Sequence, residues 1–180
     1  MMSSMTLPNR DLVTATPRLE LRPTQLSDVP RFVEIQSNWN VIKMLRMPPW
    51  PVVEADMAAW VATHPGEWVD GAAFRFTVLS DGLVIGMCDL GEVAEGSSSI
   101  GYWFDEASWG QGFAKEAASA VLAFGRNELG LKGFESGHIA ENQASGNVLR
   151  HLGFRQLALE TRYSRPRGED VPYRPYVLDS

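Results

Sequence analysis

The chain carries a single cysteine, Cys88, among 180 residues, which excludes an internal disulfide framework. Cys88 has no neighbouring cysteine or histidine, and His64, His138 and His151 show no metal-ligand spacing, so no metal is expected. No apolar run approaches the length that spans a bilayer, so no membrane partner is expected. Met1 to Arg10 is polar and lacks an apolar core of signal-peptide length, which makes a cytoplasmic location the expectation. Positive charge is in deficit: 16 Lys and Arg face 22 Asp and Glu, a net charge of −6. That balance argues against nonspecific nucleic-acid binding, which needs a basic surface, and favours a basic or amine-bearing substrate. Internal repeats and low-complexity tracts are absent. Gly110-x-Gly112 lacks the third glycine of a dinucleotide fingerprint and comes late in the chain, which disfavours a nicotinamide-binding domain.

What the chain has is apolar mass. Hydrophobic residues make up 44%, with six Trp, enough for one core without disulfides or metal. Residues 1–15 read as a loose N-terminal tail and 16–180 as one domain. Arg18 to Arg22 alternates polar and apolar like a half-buried strand, with Pro23 at its end. Ser27-Asp28 starts a helix that Asn38-Trp39-Asn40 interrupts, and a helix resumes over Glu54 to Thr63. Phe74 to Leu79 and Leu83 to Leu90 are strands joined by the hairpin signal Ser80-Asp81-Gly82, and a third strand follows over 99–104. A helix after residue 112 ends at Gly130 to Gly133; then come a strand (Phe134 to Ala140), a short helix (Ala144 to Leu152) and two strands joined by a turn at Pro166 to Asp170. This order predicts an α/β (α+β layered) fold: a mixed, mostly antiparallel sheet of about seven strands flanked by about four helices.

The most informative segment is Ser108-Trp109-Gly110-Gln111-Gly112-Phe113-Ala114-Lys115-Glu116-Ala117. It joins the strand Ile100-Gly101-Tyr102-Trp103-Phe104 to a helix whose apolar positions are Ala117, Ala118, Val121, Leu122 and Phe124. A strand, a glycine loop and a helix start aim unpaired N–H groups outward, and the helix dipole favours an anion there, so phosphate or pyrophosphate binding is one reading. A tight turn before an Ala-rich helix is the other. A second motif runs from Asn142-Gln143-Ala144-Ser145 to Leu152-Gly153-Phe154. Alone it reads as a helix cap, with Val148, Leu149 and Leu152 in the core.

Taken together, these motifs make the chain resemble the GNAT superfamily of acetyl-CoA-dependent N-acetyltransferases, most closely the RimJ/RimL-type branch, which acetylates N-terminal amines of ribosomal and other proteins. The resemblance runs from Thr16-Pro17-Arg18-Leu19-Glu20-Leu21-Arg22-Pro23 to about Leu178. It implies a V-shaped splay between the fourth and fifth strands, which the pantetheine arm of coenzyme A would enter beside Tyr102, Trp103 and Phe104. Backbone amides of Trp109, Gly110, Gln111, Gly112, Phe113 and Ala114 would cradle the pyrophosphate. A backbone N–H on the open strand edge would polarise the thioester carbonyl. Asn142 and Ser145 would lie near the pantetheine and the sulfur, with Ser145 donating to the departing thiolate.

Three departures stand out. Trp109 replaces the Gln or Arg that commonly begins the loop, which shifts the burden to main-chain donors. A Glu that some relatives carry aligns with Gly137, and a Tyr general acid of others aligns with Leu149. The general base is therefore open. His138 is the first candidate, although strand alternation puts it on the opposite face from position 137; Glu135 and Asp89 are weaker ones. Trp39, Trp50, Trp60 and Trp68 crowd the region where the superfamily builds its acceptor site, with core packing as the alternative. Arg162, Arg165, Arg167 and Arg174 cluster at the C-terminal turn, either for a phosphate or as a solvated hairpin.

The implied activity is direct acetyl transfer from acetyl-CoA to a primary amine, a peptide N-terminus or otherwise a small-molecule amine such as a polyamine, amino acid or aminoglycoside. A non-catalytic acyl-CoA-binding module is the third reading, and a homodimer is admitted as an assembly.

Overall fold

The computed structural model describes residues 6–179. Residues 1–5, expected to belong to the N-terminal tail, lie outside the described residues, as does Ser180 at the end of the expected domain. Among the described residues the chain forms one nine-stranded sheet and five α-helices. The strands are β1 (Thr14–Ala15), β2 (Glu20–Pro23), β3 (Phe74–Ser80), β4 (Leu83–Ala94), β5 (Ser97–Phe104), β6 (Gly133–Ile139), β7 (Arg155–Gln156), β8 (Glu160–Ser164) and β9 (Glu169–Leu178). The helices are α1 (Val29–Gln36), α2 (Trp39–Ile42), α3 (Glu54–Val69), α4 (Phe113–Asn127) and α5 (Gln143–His151). None is long and apolar enough to cross a membrane.

The sheet order is β1-β2-β3-β4-β5-β6-β9-β7, with β8 also on β9. Every pairing is antiparallel except β5 with β6. The β3–β4 hairpin closes on Asp81 and Gly82, both at positive φ (50° and 76°), the twist a two-residue turn requires.

Period-two alternation sorts the strand side chains between two cores. Phe74, Phe76, Cys88, Leu90, Ile100 and Phe134 pack against Ala117, Ala118, Val121, Leu122 and Phe124 of α4. Trp68, from the end of α3, reaches into this core, 4.8 Å from Phe74 and 5.9 Å from Phe124 by ring centroids. On the other face Met87 joins Val29 and Phe32 of α1 and Met57 and Val61 of α3. The single cysteine is therefore a core residue, and burial pushes its thiol well above the usual range.

Three element expectations need correction. Seven strands become nine because β1 and β7 are two-residue ladders, too short for alternation to register. Four helices become five because α2 forms its own turn, capped by the Asn38 side chain accepting from the Asn40 N–H. Helix α3 continues past Thr63 and through Pro65 to Val69. Proline removes one ladder bond there, and buried Val61, His64 and Trp68 hold the turns on both sides.

The feature that positions the site is the β5–β6 contact. These strands pair only at Ser97–Gly133, Ser98–Phe134 and Ser99–Glu135. Beyond Ser99 they part, and the Ser136 hydroxyl donates to the Ile100 carbonyl (2.9 Å) at the point of divergence. This is the splay expected between the fourth and fifth strands; counting β1 makes them the fifth and sixth.

Candidate active site

Strand β5 runs along the gap and ends at Phe104, where the glycine loop begins, so the open end of the V meets the start of α4. Gly110 and Gly112 lie at φ 73° and 81°, values at which a side chain is strained, and Gly112 is the N-cap of α4. The first ladder bond of α4 is Glu116 N–H to Gly112 carbonyl (3.1 Å), so the N–H groups of the preceding turn have no carbonyl behind them. Trp109 does not point its donor at the loop. Its indole N–H donates to the Phe104 carbonyl (3.0 Å), which ties the loop to the end of β5.

A clamp that sequence reasoning missed fixes the loop from the other side. Glu116 accepts from Thr16 Oγ1 (2.6 Å), Arg18 N–H (2.9 Å) and Arg18 Nε (2.7 Å). Arg18 Nη1 in turn donates to the Gln111 carbonyl (2.7 Å), and its guanidinium lies 4.6 Å from the Phe113 ring centroid. Burial pushes the Glu116 carboxyl up, but these donors outweigh it and hold it below the usual range. Both residues stand in the recognisable segments; their 98-residue separation hid the pairing.

Across the gap Tyr102 and Ser145 meet, with Oη and Oγ 2.9 Å apart. Asn142 is the cap of α5, its Oδ1 accepting from the Ser145 N–H (3.3 Å). Ser145 therefore has its side chain free for the gap. Burial raises the Tyr102 pKa well above the usual range, against the pull of Ser145, so the phenol keeps its proton at neutral pH. When Tyr102 donates to Ser145 Oγ, the serine proton is left to point into the gap. Tyr102, Trp103, Phe104, Trp109, Gly110, Gly112, Phe113, Ala114, Asn142 and Ser145 all line one groove of about 1710 Å³ that runs through the sheet. Gln111 contributes its carbonyl to the Arg18 clamp instead.

The remaining candidates separate. His138 faces α5: its Nδ1 donates to the Ile139 carbonyl (2.8 Å), its Nε2 lies 3.4 Å from the Tyr176 hydroxyl, and a Cβ on Gly146 would come within 2.6 Å of that nitrogen. Burial lowers its pKa. His138 nevertheless lines the same groove as Tyr102 and Ser145. Leu149, at the position of the Tyr acid of some relatives, is fully buried. At Gly137 a Cβ would lie 2.4 Å from the Tyr173 hydroxyl, so Tyr173 fills the space where some relatives carry a Glu.

Among the tryptophans, Trp68 is core, Trp60 lines the groove, and Trp39 and Trp50 form an exposed pair 5.1 Å apart. The C-terminal arginines are mostly engaged within the chain. Arg162 bonds Glu160 (2.8 Å) and lies over Tyr173, Arg167 donates to the Lys43 carbonyl (2.8 Å) and pairs with Glu141, and Arg174 donates to the Leu157 carbonyl (3.2 Å). Among the described residues no group of three or more His, Cys, Asp or Glu is arranged to hold a metal ion.

The comparisons agree with this geometry. The chain is 29% identical over 169 residues to an uncharacterized N-acetyltransferase p20 of Bacillus licheniformis, covering 91% of this chain and 93% of the relative. Its fold is similar to RimL, a ribosomal L7/L12 alpha-N-protein acetyltransferase solved with coenzyme A (TM-score 0.82, 21% identity, 93% of this chain and 98% of that one). It is likewise similar to Mycobacterium smegmatis RimJ in complex with CoA-disulfide (TM-score 0.78, 24% identity, 90% and 82%). Residues 18–155 match the acetyltransferase (GNAT) domain, and the chain belongs to that family of acyltransferases.

Proposed function

We propose that the chain transfers the acetyl group of acetyl-CoA directly to a primary amine, with the α-amine of a protein N-terminus as acceptor. The observation that carries this reading is the β5–β6 gap, spanned by the Tyr102–Ser145 hydrogen bond and opening onto the glycine loop. The main-chain N–H groups from Gly110 to Ala114 hold the pyrophosphate at the start of α4, whereas the Trp109 N–H expected among them donates to the Glu106 carbonyl (3.1 Å). The edge of β5 that β6 leaves open receives the pantetheine arm as an added strand beside Tyr102, Trp103 and Phe104, although the Phe104 carbonyl is taken by the Trp109 indole, and an N–H there polarises the thioester carbonyl. Asn142 keeps its side-chain NH₂ as a donor toward the arm while its oxygen caps α5. Tyr102 donates to Ser145, and Ser145 passes its proton to the thiolate as the C–S bond breaks. The likeness to RimL, an alpha-N-protein acetyltransferase, supports a protein N-terminus as acceptor over a small amine.

Acetyl-CoA and a panel of acceptors test the reading. The panel holds peptides with free or blocked α-amines, a polyamine, an amino acid and an aminoglycoside, and mass spectrometry locates the acetyl group. Acetylation of free-α-amine peptides and not of blocked ones is expected. Acetylation confined to the small amines would replace the acceptor class, and coenzyme binding without acetylation of anything would leave a binding module.

A further inference from the structure

The reaction needs a group to remove a proton from the ammonium; Gly137 has no side chain to supply one, and the His138 ring is turned toward Ile139 and Tyr176. A row of residues crosses the sheet at the gap. Arg75 of β3 pairs with Asp89 of β4, and Asp89 pairs with Gly101 of β5. The parallel register that pairs Ser99 with Glu135 would continue to Gly101 and Gly137, the two glycines that flank the open gap. Cys88 and Leu90 belong to the α4 core, so Asp89 projects to the opposite face, beside Met87. This is the face that the groove shares with Trp60, Trp103 and Tyr173.

The missing side chain at Gly101 makes room for this carboxylate: a Cβ there would lie 3.0 Å from Asp89 Oδ1. Its other oxygen is held by Arg75 Nη1 at 2.5 Å. Arg75 is itself gripped by Glu67, at 2.8 Å and 3.1 Å. Two carboxylates thus share one guanidinium, which leaves one negative charge uncompensated. Asp89 is the member of the pair beside the gap. On the other flank the Tyr173 hydroxyl overhangs Gly137.

We propose that Asp89, aimed across Gly101 and held by Arg75, is the general base that deprotonates the acceptor amine. The assignment rests on the acetyltransferase reading above. An ammonium entering on this face gives one proton to Asp89 and becomes the nucleophile. Its nitrogen bonds to the carbonyl carbon, the C–S bond breaks, and the sulfur leaves with the electron pair. The nitrogen's second proton passes to water as the amide forms; the thiolate takes a proton from Ser145, which regains one through the Tyr102 hydroxyl and solvent. The product amide retains one N–H, and Asp89 returns its proton to solvent. The other titratable groups facing Asp89 are Arg75 and Glu67, both charged, with His64 behind them held neutral by burial.

The test is the pH profile of acetyl transfer by wild-type protein and Asp89→Asn with one acceptor peptide. At pH 7 the variant is expected to lose roughly 100-fold in kcat, the usual worth of a general base, with the KM for acetyl-CoA unchanged. The deficit should shrink above pH ~8, where an α-amine deprotonates without help. Asp89→Glu should recover part of the loss. An Asn variant with wild-type kcat, or a deficit of the same size at every pH, overturns the assignment. If Asp89→Asn does not fold, Gly101→Ala crowds the same carboxylate and must show the same pH-dependent deficit. Wild-type protein that binds coenzyme but acetylates no amine defeats the acetyltransferase reading itself, and the base with it.

Discussion

Ser145 and Asn142 share one motif but divide its tasks. Asn142 caps α5 through its side-chain oxygen, and this frees the Ser145 hydroxyl to meet Tyr102 at 2.9 Å. Ser145→Ala should therefore leave the helix intact and lower kcat about tenfold or more, with little change in the KM for acetyl-CoA, the signature of an interaction realised at the transition state. Steady-state kinetics with both substrates varied checks this; unchanged kcat would return Ser145 to packing. The motif itself is legible in sequence because cap and serine lie three residues apart. Its partner is not, since Tyr102 is 43 residues away and nothing local marks it as a donor. The same holds for Asp89: its neighbours in sequence are core residues, and its orientation emerges only when β3, β4 and β5 align.

At the scale of elements, the glycine loop is the best example of a part that local chemistry announces. Gly112 at φ 81° and the helix start that follows are readable from residue type alone. Gly112→Glu places a strained side chain and a negative charge where the pyrophosphate is to sit. It should raise the Kd for coenzyme A at least tenfold by calorimetry, about 1.4 kcal/mol. Glu116→Gln leaves that turn open and weakens only the clamp through Arg18, so a smaller rise is expected. Equal affinity in both variants and wild type would separate the loop from the coenzyme. What local chemistry does not announce is anything shorter than its own period. β1 and β7 are two residues each, and α3 crosses Pro65 because packing on both sides outweighs one lost bond.

The whole molecule sets the gap. Strand order and the layered fold follow from alternating and helical patterns along the chain, but the parting of β5 from β6 after Ser99 depends on register between distant segments. The same assembly buries His64 under Arg75 and Trp60, with Thr24 Oγ1 at 2.7 Å from Nδ1. Burial, reinforced by Arg75, lowers its pKa to about 4. The unfolded chain, with an ordinary histidine near pH 6.5, then binds more protons than the folded one between those values. Stability from this residue is fully present above pH ~6.5 and is lost as pH falls toward 4. Denaturant melts at stepped pH should show that slope, worth up to about 3 kcal/mol, and His64→Gln should flatten it. An unchanged slope would mean that the buried ring contributes nothing to acid sensitivity.

The most direct measurement is free thiol released from acetyl-CoA, followed with and without an N-terminal peptide, for wild-type protein and Gly112→Glu. Release should rise with peptide concentration in the wild type and largely fail in the variant at low acetyl-CoA. Release that ignores the peptide, or a variant that matches the wild type at every acetyl-CoA concentration, would contradict it.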